Sequence, residues 1–244
     1  MPVTALYLVQ DPSINATTIT SVSERITRLF PRSVGKWGFE YKLYRENPML
    51  TTHHSIHSLP SQPGSQQQQQ QQHMPSTPAR FLAQLYITKH RDDLFCLIDE
   101  PHGGYTSSGA AVANKAVMAV FDKGMDSIVA TKLQSLWTLR QTMRGEGFAY
   151  SIGDEFVVRV ASVTMSGSFR FIVIEVEYLK SVDLASSKQP IADLIAKCDL
   201  PRGKFVYGEK IEIYKPQGAN VARAFTKIDN ALQYVELLRS GPNG

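Results

Sequence analysis

Glu175 and Glu177 stand two residues apart in the run Ile174-Glu175-Val176-Glu177-Tyr178. On a β-strand that spacing points both side chains to one face. Two carboxylates so placed are hard oxygen ligands, and in an enclosed site they could hold a divalent cation for metal-assisted hydrolysis of a phosphoanhydride. Lys180 extends the run towards an E-x-E-x-K pattern but stands one place too far along, which turns it to the opposite face. A complete site also needs a second acidic pair. The nearest candidates, Glu209 and Glu212, are three apart and face opposite ways on the last predicted strand. The plainer reading of Glu175 and Glu177 is a solvated strand face, because alternating polar and apolar residues are what burial of one side predicts.

No other residue set supplies a complete reaction centre. The six histidines, His53, His54, His57, His73, His90 and His102, all lie in the N-terminal half, and most fall in a low-complexity stretch where a cluster is compositional. No G-x-S-x-G is present for a serine nucleophile, and Gly103-Gly104 and Gly145-Glu146-Gly147 lack the further glycines and lysine of a phosphate loop. Cys96 and Cys198 are isolated in apolar patterns, which gives neither a disulfide framework nor a metal knuckle and fits a reducing compartment. Trp37, Phe39 and Tyr41 alternate on one strand face and read as core, although such a face could also stack bases. Tyr44 breaks that alternation and is therefore expected at the surface, where it is the candidate partner contact.

The elements that must position these residues are mostly strands. The stretch Glu155–Tyr178 shows a two-residue period rich in β-branched side chains, over residues 156–161 on one arm and 171–178 on the other, around the small turn Ser166-Gly167-Ser168, which predicts a long β-hairpin. Arms of that length suit a sheet that closes or curls. Val3–Val9, residues 36–44, a hairpin formed by residues 81–87 and 94–98, residues 115–121, 144–152 and 205–214 supply the other strands. Helical spacing is predicted over residues 17–30, 125–140, 190–198 and 221–238; the second carries the stripe Met125, Ile128, Val129, Leu133, Leu136, Trp137, and the last Val221, Phe225, Ile228, Leu232, Val235. The fold class is thus α+β: a mainly antiparallel, closed or nearly closed β-barrel of about eight strands with flanking helices. One domain spans residues 1–244, interrupted at 46–79 by a disordered insertion that holds five prolines and the tract Gln66–Gln72.

Charge and hydropathy narrow the function classes. A net charge of +4 from 26 basic and 22 acidic residues, with no Lys/Arg run, is too dilute to predict sequence-specific nucleic-acid binding. No stretch approaches the roughly 20 apolar residues that span a bilayer, and the N-terminal MPVTALYLVQDP lacks the features of a secretion signal, so no membrane role is expected.

Four segments together resemble the family of Mediator complex subunit 20: MPVTALYLV, GMDSIVATKLQSLW, GEGFAYSIGDEFVVRVASVTM and SFRFIVIEVEYLK. The resemblance covers about residues 1–46 and 80–180 and, more loosely, the C-terminal helix; the glutamine tract and residues 188–208 depart from it and suggest a fungal-type member. It implies a barrel related to tunnel-type triphosphatases without their catalytic acids, and a non-enzymatic nuclear subunit with no cofactor. It also implies pairing with Mediator subunit 18, tethering by the C-terminal helix of Mediator subunit 8 to the other head-module subunits, and contact with the TATA-binding protein and the RNA polymerase II initiation machinery. A divalent-metal triphosphate hydrolase built on Glu175 and Glu177 is the alternative.

Overall fold

The computed structural model describes residues 1–10, 15, 17–29, 31–47, 79–99, 116–211 and 224–240. Its organising unit is the long hairpin β7 (Phe156–Met165) and β8 (Ser168–Tyr178). Ser166 (φ 52°) and Gly167 (φ 79°) both take the left-handed backbone that a two-residue turn between right-twisted strands demands. Around this hairpin β1 (Val3–Val9), β2 (Arg32–Glu46), β3 (Phe81–Ile87), β4 (Leu94–Asp99), β5 (Ala116–Phe121), β6 (Trp137–Ile152) and β9 (Gly203–Val206) complete one nine-stranded sheet in the order β5-β4-β3-β2-β6-β7-β8-β1-β9. Every neighbouring pair is antiparallel.

The helices among the described residues are α1 (Thr18–Thr27), α2 (Gly124–Thr131), α3 (Leu184–Lys197) and α4 (Lys227–Ser240). α4 touches β1, β3 and β9 together. Strands lie about 4.8 Å apart and a helix is about 10 Å across, so a flat sheet could not bring β3 and β9 to the same helix. The sheet curls, and α4 occupies the inside. The inner faces of all nine strands converge there: Leu6, Tyr41, Leu85, Phe95, Ala116, Met143, Val163, Val173 and Val206 share one core with Leu232, Val235 and Leu238. Curling stops short of hydrogen-bonded closure, because β5 and β9 remain edges among the described residues. The expected mainly antiparallel, barrel-like sheet with flanking helices is present, and it is an open curl of nine strands.

The outer face is covered in two patches. α1 (Val22, Ile26) and α3 (Ile191, Leu194, Ile195) pack on β1, β7 and β8, and α2 (Val129) packs on Tyr44, Leu82, Leu94 and Cys96. β8 is therefore buried on both sides, which explains its unbroken apolar run apart from the glutamates.

Several boundaries differ from the expectations. The helix predicted over 125–140 ends at Thr131, and Leu136 and Trp137 lie outside it, because the chain from Trp137 pairs with β2 along its whole length (Glu46↔Trp137 to Arg32↔Ser151) and that ladder outweighs helical spacing. α3 begins at Leu184 rather than Pro190, since Asp183 caps it by accepting from the Ser186 N–H at 2.8 Å. The last strand is Gly203–Val206, shorter than 205–214. α4 starts at Lys227; Phe225 precedes it and packs on the outer face with α3. The insertion, the glutamine tract, Glu212, Val221 and every histidine except His90 lie outside the described residues.

Candidate functional site

The inner face of β8 carries Phe171, Val173, Glu175 and Glu177 in succession, so the two glutamates do share a face, as their spacing requires. That face is the interior: Glu175 is 0% exposed and Glu177 6%. The expectation of a solvated strand face is overturned, because the sheet curls and α4 covers it. Arg159 on β7 stands directly opposite Glu175 and binds both acids, Nη1 to Glu175 Oε1 and Nη2 to Glu177 Oε2 at 2.7 Å. Lys89, in the β3–β4 turn, reaches Glu175 Oε1 at 3.4 Å and Glu177 Oε1 at 3.2 Å. Two carboxylates and two cations make a locally neutral cluster, the condition under which buried charge is tolerated.

α4 completes it. Asn230, Gln233 and Tyr234 follow an i, i+3, i+4 pattern and so form one polar stripe on a helix buried on every side. Tyr234 Oη donates to Glu175 Oε2 at 2.7 Å and Asn230 Nδ2 donates to the same oxygen at 3.1 Å. Asn230 also donates to Thr4 Oγ1, which donates to Gln233 Oε1 at 2.8 Å, while Gln233 Nε2 donates to the Thr4 carbonyl. His90 Nε2 meets Asn230 Oδ1 at 3.3 Å. Ion pairs fasten both helix ends along β4, Lys227 to Asp93 at 2.9 Å and Arg239 to Asp99 at 2.6 Å.

Electrostatics follow from this packing. Burial alone would raise the Glu175 carboxyl, but the charges of Lys89 and Arg159, with the hydrogen bonds from Tyr234 and Asn230, outweigh it and hold the group down at about 2. Burial pushes the Tyr234 hydroxyl well above its usual value, and the neighbouring Glu175 charge adds to that. Burial and then the Lys89 charge lower His90, which stays neutral at physiological pH.

All four carboxylate oxygens of Glu175 and Glu177 are therefore committed to protein groups. A divalent cation would have to displace Arg159 and Lys89, and among the described residues no set of three or more His, Cys, Asp or Glu side chains is placed to hold one. Lys180 pairs with Asp154 at the surface and Glu209 with Lys188, both away from the interior. Trp37, Phe39 and Tyr41 do pack in the core, Phe39 lying 5.0 Å from the Tyr234 ring. Tyr44, expected at the surface, is 3% exposed beneath α2: strand alternation puts it with Lys42 on the outer face, where Val129 and Leu82 cover it. Burial pushes the thiols of Cys96 and Cys198 up to about 11, which leaves them unreactive. The uncovered features lie outside: Val117 and Phe121 are exposed on the edge strand β5, with Ile98 in register with Val117.

Arg159, Lys89, Thr4, Asn230, Gln233 and Tyr234 are absent from the sequence-based site. Arg159 had a detectable signal, being the one basic residue on the first arm of the hairpin.

The family described as "TATA-binding related factor (TRF) of subunit 20 of Mediator complex" matches residues 1–239. Mediator of RNA polymerase II transcription subunit 20 from Yarrowia lipolytica is 27% identical over 202 residues, covering 80% of this chain and 86% of the relative. The protein of the same name from Scheffersomyces stipitis is 26% identical over 247 residues, covering 97% and 99%. Among solved structures, the PH1012 protein from Pyrococcus horikoshii aligns with a TM-score of 0.42 at 12% identity, covering 84% of this chain and 94% of that one.

Proposed function

The chain belongs to the Mediator subunit 20 family, and on that premise we propose that it acts in the nucleus as a structural subunit of the Mediator head module, linking transcription regulators to RNA polymerase II. Its role is non-enzymatic. The observation that carries an interaction role over a catalytic one is the filled interior: Glu175 and Glu177, the carboxylate pair whose spacing suits metal chemistry, are neutralised by Arg159 and Lys89 and sealed by α4. Exposed apolar residues on the β5 edge, Val117 and Phe121, suit contact with another polypeptide.

The partners in this reading are Mediator subunit 18, paired as a heterodimer, the C-terminal helix of Mediator subunit 8, the other head-module subunits, and the TATA-binding protein with the initiation machinery. None of these is a membrane, and no described helix is long and apolar enough to cross one. Tagged chain purified from nuclear extract should bring down head-module subunits in stoichiometric amounts. Co-expression with subunit 18 should give a heterodimer by light scattering, with an interface of roughly 1,200–2,000 Å². Recovery of the chain alone, and two monomers on co-expression, would refute the reading. The hydrolase alternative is not favoured; it predicts phosphate release from nucleoside triphosphates with magnesium or manganese, lost in Glu175→Ala.

A further inference from the structure

α4 ends before the interior does. Past its last turn a cavity of about 490 Å³ opens between Leu238, Arg239 and Ser240 and the ends of β2, β6 and the β7–β8 hairpin. Leu43, Met143, Met165, Phe169 and Phe171 make its walls apolar. Its charged groups are of one sign. Tyr41 is 1% exposed and its Oη sits beside the Arg239 guanidinium, yet neither Tyr41 Oη nor Arg239 Nη2 reaches hydrogen-bond geometry with any described residue. Arg239 uses its other nitrogen, Nη1, on Asp99, which is outside the lining. Arg170 is exposed at the rim and makes no ion pair with any described residue. The lining thus holds two guanidinium groups, a phenol, the Gln141 amide and the Ser240 hydroxyl, and no carboxylate. Buried donors without acceptors are the exception in folded proteins, and guanidinium groups favour carboxylates.

We propose that this cavity is a docking pocket for a partner polypeptide that inserts a large apolar side chain with an aspartate or glutamate next to it. The apolar group fills the space between Met143, Met165 and Phe171, and the carboxylate accepts from Arg239 Nη2, Tyr41 Oη and Arg170. The pocket's chemistry stands on its own residues; only the view that the segment belongs to a Mediator subunit rests on the function proposed above.

The probe is acetyl-Phe-Asp-Leu-amide against its Asn counterpart, titrated into full-length chain carrying 13C-methyl methionine. Met143 and Met165 report on the pocket, while Met125, on α2 against the outer face, reports on global change. The expected result is saturable shifts at Met143 and Met165 with Met125 unmoved, and binding of the Asn peptide weaker by about ten-fold, the loss of one charge-assisted contact. Arg170→Gln, an exposed substitution that leaves folding intact, should weaken the Asp peptide several-fold and narrow its advantage over the Asn peptide. Equal affinity for the two peptides, shifts only at Met125, or no shift at millimolar peptide would overturn the pocket. Peptide binding without co-purification of Mediator subunits would keep the pocket and sink the functional reading.

Discussion

The Tyr234 hydroxyl, on the last helix, donates to the Glu175 carboxylate at 2.7 Å across 59 residues of sequence. That bond joins the helix filling the interior to one of the two acids whose strand spacing would suit a metal site. Its strength follows from burial: both groups are fully enclosed, so a hydrogen bond to an ionised partner is unscreened. Tyr234→Phe should cost about 1.5–3 kcal/mol of stability by urea denaturation, with the fold retained.

Glu175→Ala should cost more, about 3–5 kcal/mol, because it leaves Arg159 and Lys89 sharing the single charge of Glu177 in the interior. Replacing Arg159 and Glu175 together by apolar residues of similar volume should recover most of that loss, since Lys89 and Glu177 still pair at 3.2 Å. A double variant as unstable as Glu175→Ala alone would show that the ion cluster is not what limits stability here.

Acid should undo the cluster. Glu175 has an ordinary value of 4.5 in the unfolded chain and about 2 in the folded one, so between these values the folded state binds fewer protons. The stabilisation is complete above 4.5 and is lost as pH falls towards 2, a loss on the order of 3 kcal/mol at about 1.4 kcal/mol per unit. His90, lowered chiefly by burial, acts in the same direction and begins to weaken the fold below its ordinary 6.5. Stability measured by denaturant at intervals from neutral pH down to about 2 should fall, and Glu175→Gln should flatten the lower part of the curve. A wild-type curve that is flat there would place Glu175 in a different environment.

The hairpin and the inner aromatic strand were legible because their period is local: alternation and a Ser-Gly turn need no knowledge of the rest of the chain. The buried acids were not, and the reason lies in register. Counting back from Met165↔Ser168 places Arg159 opposite Ile174; the irregularity between Val163 and Thr164 shifts the ladder by one and brings Arg159 opposite Glu175. An unpaired glutamate on a strand reads as solvent-facing, and only that shift supplies its partner. The polar stripe of α4 was hidden for a related cause, since Asn230, Gln233 and Tyr234 look like a wet helix face until Thr4 and Glu175 are known to face them.

β6 approaches β7 so closely at Gly147 that a Cβ there would meet the Val160 carbonyl oxygen at 1.8 Å and the Ala161 Cα at 2.9 Å, both backbone atoms that cannot swing aside. Gly147→Ala should therefore part the two strands and cost at least about 2–3 kcal/mol in thermal or urea unfolding. Gly124→Ala is the control: it opens α2, its new Cβ would meet only the Asp122 side chain at 2.8 Å, and alanine favours a helix, so the change should stay within about 1 kcal/mol. Equal losses for the two would mean that β6 can yield at this point.

The insertion between β2 and β3 leaves from and returns to a base that is already closed. Glu46 donates its backbone N–H to the Arg80 carbonyl at 2.9 Å, the Arg80 guanidinium holds the Glu46 carboxylate, and Arg45 pairs with Phe81 in the ladder. With the strands fixed up to that point, a segment at 48–78 that is disordered, as its composition predicts, would enter the folding free energy chiefly through the entropy of closing a loop. That entropy changes by only about 0.6 kcal/mol for each halving of length, so replacing residues 48–78 by a four-residue Gly-Ser turn should stabilise the fold by roughly 2 kcal/mol. The melting temperature of the shortened chain should therefore equal or exceed that of the full chain. A fall of several degrees would show that the glutamine-containing segment packs on the sheet, and would overturn its reading as a disordered insertion.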